Sequence, residues 1–236
     1  MSTTILAADN LCKRYGNQLV LDSVSLYIDK GDIYGFIGEN GAGKTTFLRS
    51  IAGLIRTDSG EISLFANTNF KAELGRVSFV IDTPLYEKNT AKENMEIYCK
   101  LQGVDLKRIS EVLSTVGLSN ADPKKKVNGF SSGMKQKLRI AIALISEPEF
   151  LVLDEPENGL DHTSQQELIR LIRTLNQRGT TVLISSHILP GLEKHATRYG
   201  FIKDGKVIHQ CKADEIEKSL SEFYCDLLGG SYEKFD

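Results

Sequence analysis

The sequence contains few cysteines, and none of them are paired at a spacing that suits metal binding. The four cysteines, Cys12, Cys99, Cys211 and Cys225, lie far apart along 236 residues, and no C-x-x-C pair occurs. This pattern argues against a structural zinc site and against a disulfide framework. Widely spaced, reduced thiols are instead typical of a cytosolic protein.

The sequence also lacks any long apolar run. No stretch approaches the roughly 18 consecutive apolar residues of a membrane-spanning helix. Residues 1–9 have neither a basic flank nor an extended apolar segment, so they do not resemble a secretory signal. A length of 236 residues fits one large domain. We therefore predict a single domain over residues 1–236 with no membrane span of its own.

Charge of one sign is not in excess either. The formal net charge is −2, which gives no electrostatic reason to expect binding to nucleic acid. The longest basic run, at residues 124–126, is interpreted as part of a solvated loop. We therefore expect no nucleic-acid partner.

What the sequence does contain is a complete G-x-x-x-x-G-K-[ST] motif at residues 38–45. An apolar run precedes it and a helical pattern follows, which is the context of a phosphate-binding loop. Backbone N–H groups and the helix N-terminus would face the anion, Lys44 would reach the β- and γ-phosphates, and Thr45 would ligate Mg²⁺. The predicted nucleotide contacts of this loop are Gly38, Asn40, Gly41, Ala42, Gly43, Lys44, Thr45 and Thr46. The alternative is a glycine-rich turn that merely precedes a helix.

Two carboxylates follow a later apolar strand at residues 150–153. Asp154 ends that strand, where it can hold the metal beside Thr45. Glu155 comes next and is placed to orient or deprotonate an attacking water, so it is the candidate general base. The alternative for both residues is a pair of surface acids at a strand end, which the phosphate loop makes less plausible.

A histidine ends another buried strand, at residues 181–187. A histidine in such a place is more often structural than catalytic, but the carboxyl edge of a parallel sheet is where nucleotides bind. His187 is therefore a candidate catalytic residue that would hydrogen-bond the γ-phosphate and stabilise charge in the transition state.

A further segment lies between the phosphate loop and the two carboxylates. Residues 130–134 read F-S-S-G-M and look like the signature motif L-S-G-G-Q. Residues 158–161 look like the D-loop that follows this signature, and residues 186–187 look like the switch histidine. This ordered set is far more specific than any one motif. Over nearly its whole length, the chain resembles the nucleotide-binding subunit of ATP-binding-cassette (ABC) transporters.

The resemblance implies the ABC ATPase fold, and the alternation of apolar strands with amphipathic helices independently favours an α/β core with parallel strands. The expected architecture is a phosphate-loop NTPase core with a mostly parallel sheet, an N-terminal antiparallel β part and a helical lobe at about residues 83–147. A C-terminal tail helix is expected at about residues 213–228, where the pattern is helical.

The resemblance also implies that two such subunits, expected to be identical, face each other and enclose ATP. Ser131 and Gly133 of one subunit would then meet the γ-phosphate held by the phosphate loop of the other. Tyr15 matches the aromatic position on which the family stacks adenine. The alternative for Tyr15 is an aromatic residue of the core.

The sequence departs from the family pattern at three positions. Ser132 and Met134 replace a glycine and a glutamine of the signature. Asp82 stands where most members have a glutamine that contacts the metal and links to the membrane subunit. An aspartate keeps an oxygen ligand for Mg²⁺ but loses the amide donor, and its alternative is a plain turn residue. Together with the S-x-G-M-K-Q-K sequence at residues 131–137, the acidic replacement makes the chain similar to one branch of the family, the exporters for bacitracin resistance and lantibiotic immunity.

These features together predict an ATPase that uses ATP and Mg²⁺ to energise a separate transmembrane permease, for export of an antimicrobial peptide or drug. The protein would lie in the cytoplasm, bound to the inner face of the membrane through the permease. The alternative is an ATP-gated regulatory or soluble ABC protein with little turnover. Such proteins usually lose the catalytic glutamate or histidine, and this sequence keeps Glu155 and His187.

Overall fold

The computed structural model describes residues 4–119, 121–186 and 192–230. The strands are β1 (Thr4–Tyr15), β2 (Gln18–Asp29), β3 (Ile33–Ile37), β4 (Ser59–Leu64), β5 (Val77–Val80), β6 (Phe150–Asp154), β7 (Thr181–Ser186), β8 (Arg198–Lys203) and β9 (Lys206–Lys212). The α-helices are α1 (Lys44–Ile51), α2 (Ala91–Gln102), α3 (Arg108–Thr115), α4 (Ser132–Leu144), α5 (His162–Gln177) and α6 (Leu220–Leu227).

Two sheets organise the described residues. A three-stranded antiparallel sheet has the order β2-β1-β4, and a six-stranded sheet has the order β5-β6-β7-β3-β8-β9. All neighbours in the larger sheet run parallel except the β8–β9 hairpin. The predicted α/β class, with a mostly parallel sheet and an N-terminal antiparallel part, is confirmed.

The register of the central strands brings the candidate site together. Asp154 of β6 lies beside Ser185 of β7, and Ile37 of β3 lies beside Ser186. Because the carboxyl ends of parallel strands share one edge of a sheet, the phosphate loop after β3 and the two carboxylates after β6 meet on that edge. Strand β7 lies between them.

The large sheet separates two hydrophobic cores, because successive side chains of a strand point to opposite faces. In β6, Leu151 and Leu153 belong to the core that includes α2, α3, α4 and α5, whereas Phe150 and Val152 belong to the core under α1 and the antiparallel sheet. The strand is buried on both faces, which explains why it reads as one apolar run rather than an alternating one.

The segment between β5 and β6 carries α2, α3 and α4. Helix α2 begins with a capping box: Thr90 Oγ1 accepts from the Glu93 amide at 3.2 Å, and Glu93 Oε2 accepts from the Thr90 amide at 2.7 Å. These reciprocal bonds satisfy amides that have no partner within the helix. The division of the chain into a core and a lobe at about residues 83–147 stays a prediction.

The C-terminal tail differs from its prediction. Instead of one helix over residues 213–228, a 3-10 turn at Ala213–Glu215 is followed by the shorter helix α6 at Leu220–Leu227. Ile216 is extended, and Ser219 starts α6 with a second capping box that involves Glu222. Because a cap fixes extended backbone at the residue before the helix, the helical pattern cannot continue through Ser219.

Candidate active site

The phosphate loop is a tight turn between β3 and α1. Gly41 and Gly43 have φ angles of 82° and 108°, a region in which residues with a Cβ are strained. Gly38 has no room for a side chain, since a Cβ there would lie 2.5 Å from the carbonyl oxygen of Ile202. The glycines therefore allow the backbone to curl at the start of α1, where amide groups remain available to an anion.

Replacement of Gly38 by alanine is expected to lower the free energy of unfolding by about 1–3 kcal/mol, the usual cost of adding a group to a filled space. The obstructing atom belongs to the backbone of β8, so a rotamer change cannot relieve the contact. Gly75→Ala is the matched control, because a Cβ at Gly75 has no neighbour within 4 Å, and it should change stability by less than about 0.5 kcal/mol. Urea denaturation measures both, and equal stabilities for the two variants would contradict the prediction.

Lys44 begins α1 and holds its charged amine inside the loop. Its side chain is only 3 % exposed, and Nζ donates to the carbonyl oxygens of Gly38 at 2.7 Å and Glu39 at 3.0 Å. Nζ also lies 3.1 Å from Glu155 Oε1. A buried ammonium group requires such partners, and these hold the cation at the mouth of the loop.

Thr45 and Asp154 form the predicted metal pair. Thr45 Oγ1 donates to Asp154 Oδ2 at 2.8 Å, and Ser185 Oγ donates to Asp154 Oδ1 at 2.5 Å. The carboxylate is thus oriented by hydroxyl groups from both neighbouring elements. Within the described residues, no group of three or more His, Cys, Asp or Glu side chains is arranged to hold a metal. One hydroxyl and one carboxylate fit Mg²⁺, which usually completes its shell with waters and substrate phosphates.

At Glu155, the residue directly after β6, the backbone turns away from the direction of the strand. Its φ angle is 43°, and its amide donates to Ser185 Oγ at 2.9 Å. Its carboxylate contacts Lys44 through Oε1, while Oε2 accepts from Asn158 Nδ2 at 2.5 Å. The turn therefore directs the Glu155 side chain towards the phosphate loop, the position that its predicted role as general base requires. Sequence reasoning did not identify Ser185 and Asn158 as partners of the two carboxylates.

A cleft of about 420 Å³ opens beside these carboxylates. Asp82, Arg139, Asp154, Glu155 and Asn158 are among the residues that line it. The structure thus brings Asp82 to the same cleft as the metal pair. Asp82 has a φ angle of 48°, as expected of a turn residue.

The carboxylate of Asp82 already has a partner, since Arg49 Nη2 of α1 donates to Asp82 Oδ2 at 2.5 Å. The Asp82 side chain is 75 % exposed. A ligand role for Asp82 would compete with this exposed ion pair, which is weak in water. The assignment of Asp82 as a metal ligand stays a prediction.

The residues that resemble the signature lie at the start of α4. Ser131 is the N-cap of this helix, and its Oγ accepts from the Met134 amide at 3.2 Å. Gly133 lies against α5, since a Cβ there would be 2.6 Å from Ser164 Oγ. Among the described contacts, neither residue touches the phosphate loop of its own chain.

Tyr15 ends β1 with 49 % of its surface exposed. Lys13 Nζ lies 5.4 Å from the centre of its ring. This exposure is incompatible with the alternative of a core aromatic, and an exposed ring is able to stack on a planar base. The adenine contact itself stays a prediction. His187 lies outside the described residues.

These contacts define a nucleotide-binding protein of the phosphate-loop type. The chain belongs to the ABC transporter family, because the family model described as "ABC transporter" matches residues 21–158, more than half of the chain. It is an ATP-binding subunit of this family, whose members hydrolyse ATP to power transport and work as dimers with a transmembrane permease. In the part of the chain that the structure describes, no helix is long and apolar enough to cross a membrane.

Two curated relatives are similar over most of the chain. The bacitracin transport ATP-binding protein BcrA of Bacillus licheniformis is 43% identical over 222 residues, which cover 92% of this chain and 72% of BcrA. The lantibiotic transport ATP-binding protein SrtF of Streptococcus pyogenes is 41% identical over 221 residues, which cover 93% of this chain and 96% of SrtF. The predicted resemblance to this branch of the family is confirmed.

Solved structures share the fold. The ATP-binding subunit of an ABC transporter superposes with a TM-score of 0.82 at 28% identity, covering 95% of this chain and 99% of that one. An ATP-binding cassette solved as a dimer in a post-hydrolysis state with ADP and Pi superposes with a TM-score of 0.78 at 26% identity, covering 89% and 99% of the two chains. The predicted ABC ATPase fold is confirmed.

Proposed function

We propose that this ATPase drives a separate permease that exports an antimicrobial peptide of the bacitracin or lantibiotic type. The observation that carries the substrate class is the similarity to BcrA and SrtF, at 43% and 41% identity over more than nine tenths of the chain. Through that permease the chain would lie against the inner face of the membrane.

The contacts of Lys44, Thr45 and Asp154 support the proposed roles at the phosphate end of the site. Lys44 and the loop amides bind the phosphates, and Tyr15 stacks on adenine. Thr45 Oγ1 and Asp154 Oδ2, which lie 2.8 Å apart, would hold Mg²⁺, with Asp82 as a further oxygen ligand. When bound, the ion would neutralise charge that develops on the transferred phosphoryl group.

Hydrolysis is assigned to Glu155 and His187. Glu155 takes the proton of the attacking water, and His187 donates to the γ-phosphate in the transition state. The Glu155 carboxylate is held by contacts that include Lys44 at 3.1 Å and Asn158 at 2.5 Å. Lys44 is thus shared between the base and the site of the phosphates, so phosphate binding would draw the cation away from Glu155 and free that carboxylate oxygen for water.

The signature residues act on ATP held by a second, identical copy. Within one chain, the described contacts connect Gly133 to α5 rather than to the phosphate loop. Helix α4 starts at Ser132, so its first amides and the hydroxyl of Ser131 form an anion-binding end. That end needs a phosphate from another subunit. Closure of two copies would complete both sites, and hydrolysis would reopen them.

The resistance of a sensitive bacterial host to the peptide tests the transport proposal. We expect the chain, co-expressed with its transmembrane permease, to raise the bacitracin or lantibiotic concentration that a sensitive host survives. The catalytic variant Glu155→Gln with the same permease is the matched control and should give no protection, because export consumes ATP. Purified pairs in vesicles should also show peptide-stimulated ATPase activity. Wild-type pairs that neither protect the host nor respond to either peptide class would overturn the substrate assignment while leaving the ATPase intact.

A further inference from the structure

A third carboxylate lies in the segment that follows β6. Glu157 is 8 % exposed, although glutamate is rarely buried without a partner. The hydroxyl of Ser186 donates to Glu157 Oε1. Ser186 is itself fully buried at the end of β7, so the bond is shielded from water and is stronger than it would be at the surface.

Ser186 lies at the carboxyl end of β7, the strand between β6 and β3. Its carbonyl oxygen accepts from the amide of Gly38, the first residue of the phosphate loop, at 3.3 Å. It pairs with Ile37 in the register of β3 and β7. The next residue in the chain is His187. Ser186 thus contacts the phosphate loop through its backbone and the segment after Glu155 through its side chain.

The segment around Glu157 also leads to the hydrolytic base. The backbone oxygen of Glu157 accepts from the Leu160 amide at 3.1 Å, while Asn158 contacts Glu155. A shift of Glu157 would therefore move both the end of β7 and the partner of Glu155.

We propose that Glu157 is a positioning residue for ATP hydrolysis. It acts through Ser186, whose side chain it holds, and so fixes the end of β7 against the phosphate loop. Glu157 need not touch ATP. Its loss should therefore slow the chemical step while the ground-state contacts of the phosphates remain. This inference rests on the proposed hydrolytic roles of Glu155 and His187.

A double-mutant cycle tests the proposal. Glu157→Ala and Ser186→Ala should each lower kcat by about tenfold, the factor expected for loss of one ordinary hydrogen bond. The affinity for ATP, measured by titration, should change by less than about twofold, since no phosphate contact is removed. The double variant should be no slower than the slower single variant, because both changes remove the same interaction.

Glu157→Gln supplies the conservative variant, since its amide oxygen still accepts from Ser186. It should retain at least about half of the wild-type kcat if the accepted hydrogen bond is what matters. The variant also guards against a general loss of folding, because it adds no cavity. Melting temperatures of all variants are measured alongside.

Three results would overturn the proposal: unchanged kcat in both alanine variants, losses that multiply in the double variant, or ATP affinity that falls as much as kcat. The proposed hydrolytic roles of Glu155 and His187 are tested by different variants. An active Glu155→Gln or His187→Ala variant would remove those residues from the mechanism, whereas the cycle reports only whether Glu157 and Ser186 act together on turnover.

Discussion

Replacement of Glu155 by glutamine is expected to lower kcat by about 100- to 10,000-fold, the range that a positioned general base contributes. A glutamine amide has nearly the same shape but cannot accept a proton from water. Its oxygen can still accept the hydrogen bond from Asn158, which is 2.5 Å long in the wild type. The variant should therefore keep its fold and bind ATP without hydrolysing it.

Two measurements identify this behaviour. Phosphate release under saturating ATP gives kcat, and size-exclusion chromatography with ATP should show a persistent dimer, because hydrolysis no longer reopens the closed pair. Glu167→Gln is the matched control: Glu167 forms a surface ion pair with Lys137 at 2.7 Å, and such pairs contribute little. Phosphate release at the wild-type rate from the Glu155→Gln variant would remove Glu155 as the base.

The sequence predicted those parts of the site that depend on local patterns. The phosphate loop is continuous in sequence, and Asp154 and Glu155 directly follow an apolar strand. A strand, a tight turn and a helix start each depend on residues that are neighbours in sequence. The contact between Thr45 and Asp154 then follows, because β3 and β6 are parallel and end at the same edge of the sheet.

Contacts that depend on strand order were not predictable in this way. Ser185 orients Asp154 only because β7 is inserted between β6 and β3. Nothing in the residues around Glu157 indicates that its carboxylate turns inward to Ser186, since glutamates in turns are usually exposed. The ion pair of Asp82 with Arg49 likewise joins the turn after β5 to helix α1, and these two elements are distant in sequence.

In the C-terminal tail, by contrast, a local sequence pattern predicted a helix that is longer than the one observed. Apolar residues recur at helical spacing from residue 213 to 228, which favours one helix. Ser219 and Glu222 also form a capping box, and a capping box marks a helix start. The helix therefore begins at this capping box and not at residue 213. Ile216, which precedes the box, is extended.

Lys44→Met is expected to weaken ATP binding by about 100-fold or more. The variant keeps an apolar stem of similar length but removes the ammonium group, and each charge-assisted hydrogen bond to a phosphate contributes about 1.5–3 kcal/mol. In the structure the amine is held by the carbonyl oxygens of Gly38 and Glu39 and by Glu155. It is therefore already placed at the mouth of the loop and needs little ordering when phosphate arrives.

Titration with ATP measures the loss. Lys30→Met is the matched control, because Lys30 is 58 % exposed and pairs with Glu149 at the surface. Lys44→Met and Glu155→Gln each break the same 3.1 Å contact, yet their expected phenotypes are opposite. Loss of the cation removes binding, whereas loss of the carboxylate's charge removes turnover and preserves binding. If both variants lost ATP affinity equally, the shared contact would be structural, and the separation of Lys44 as phosphate ligand from Glu155 as base would be wrong.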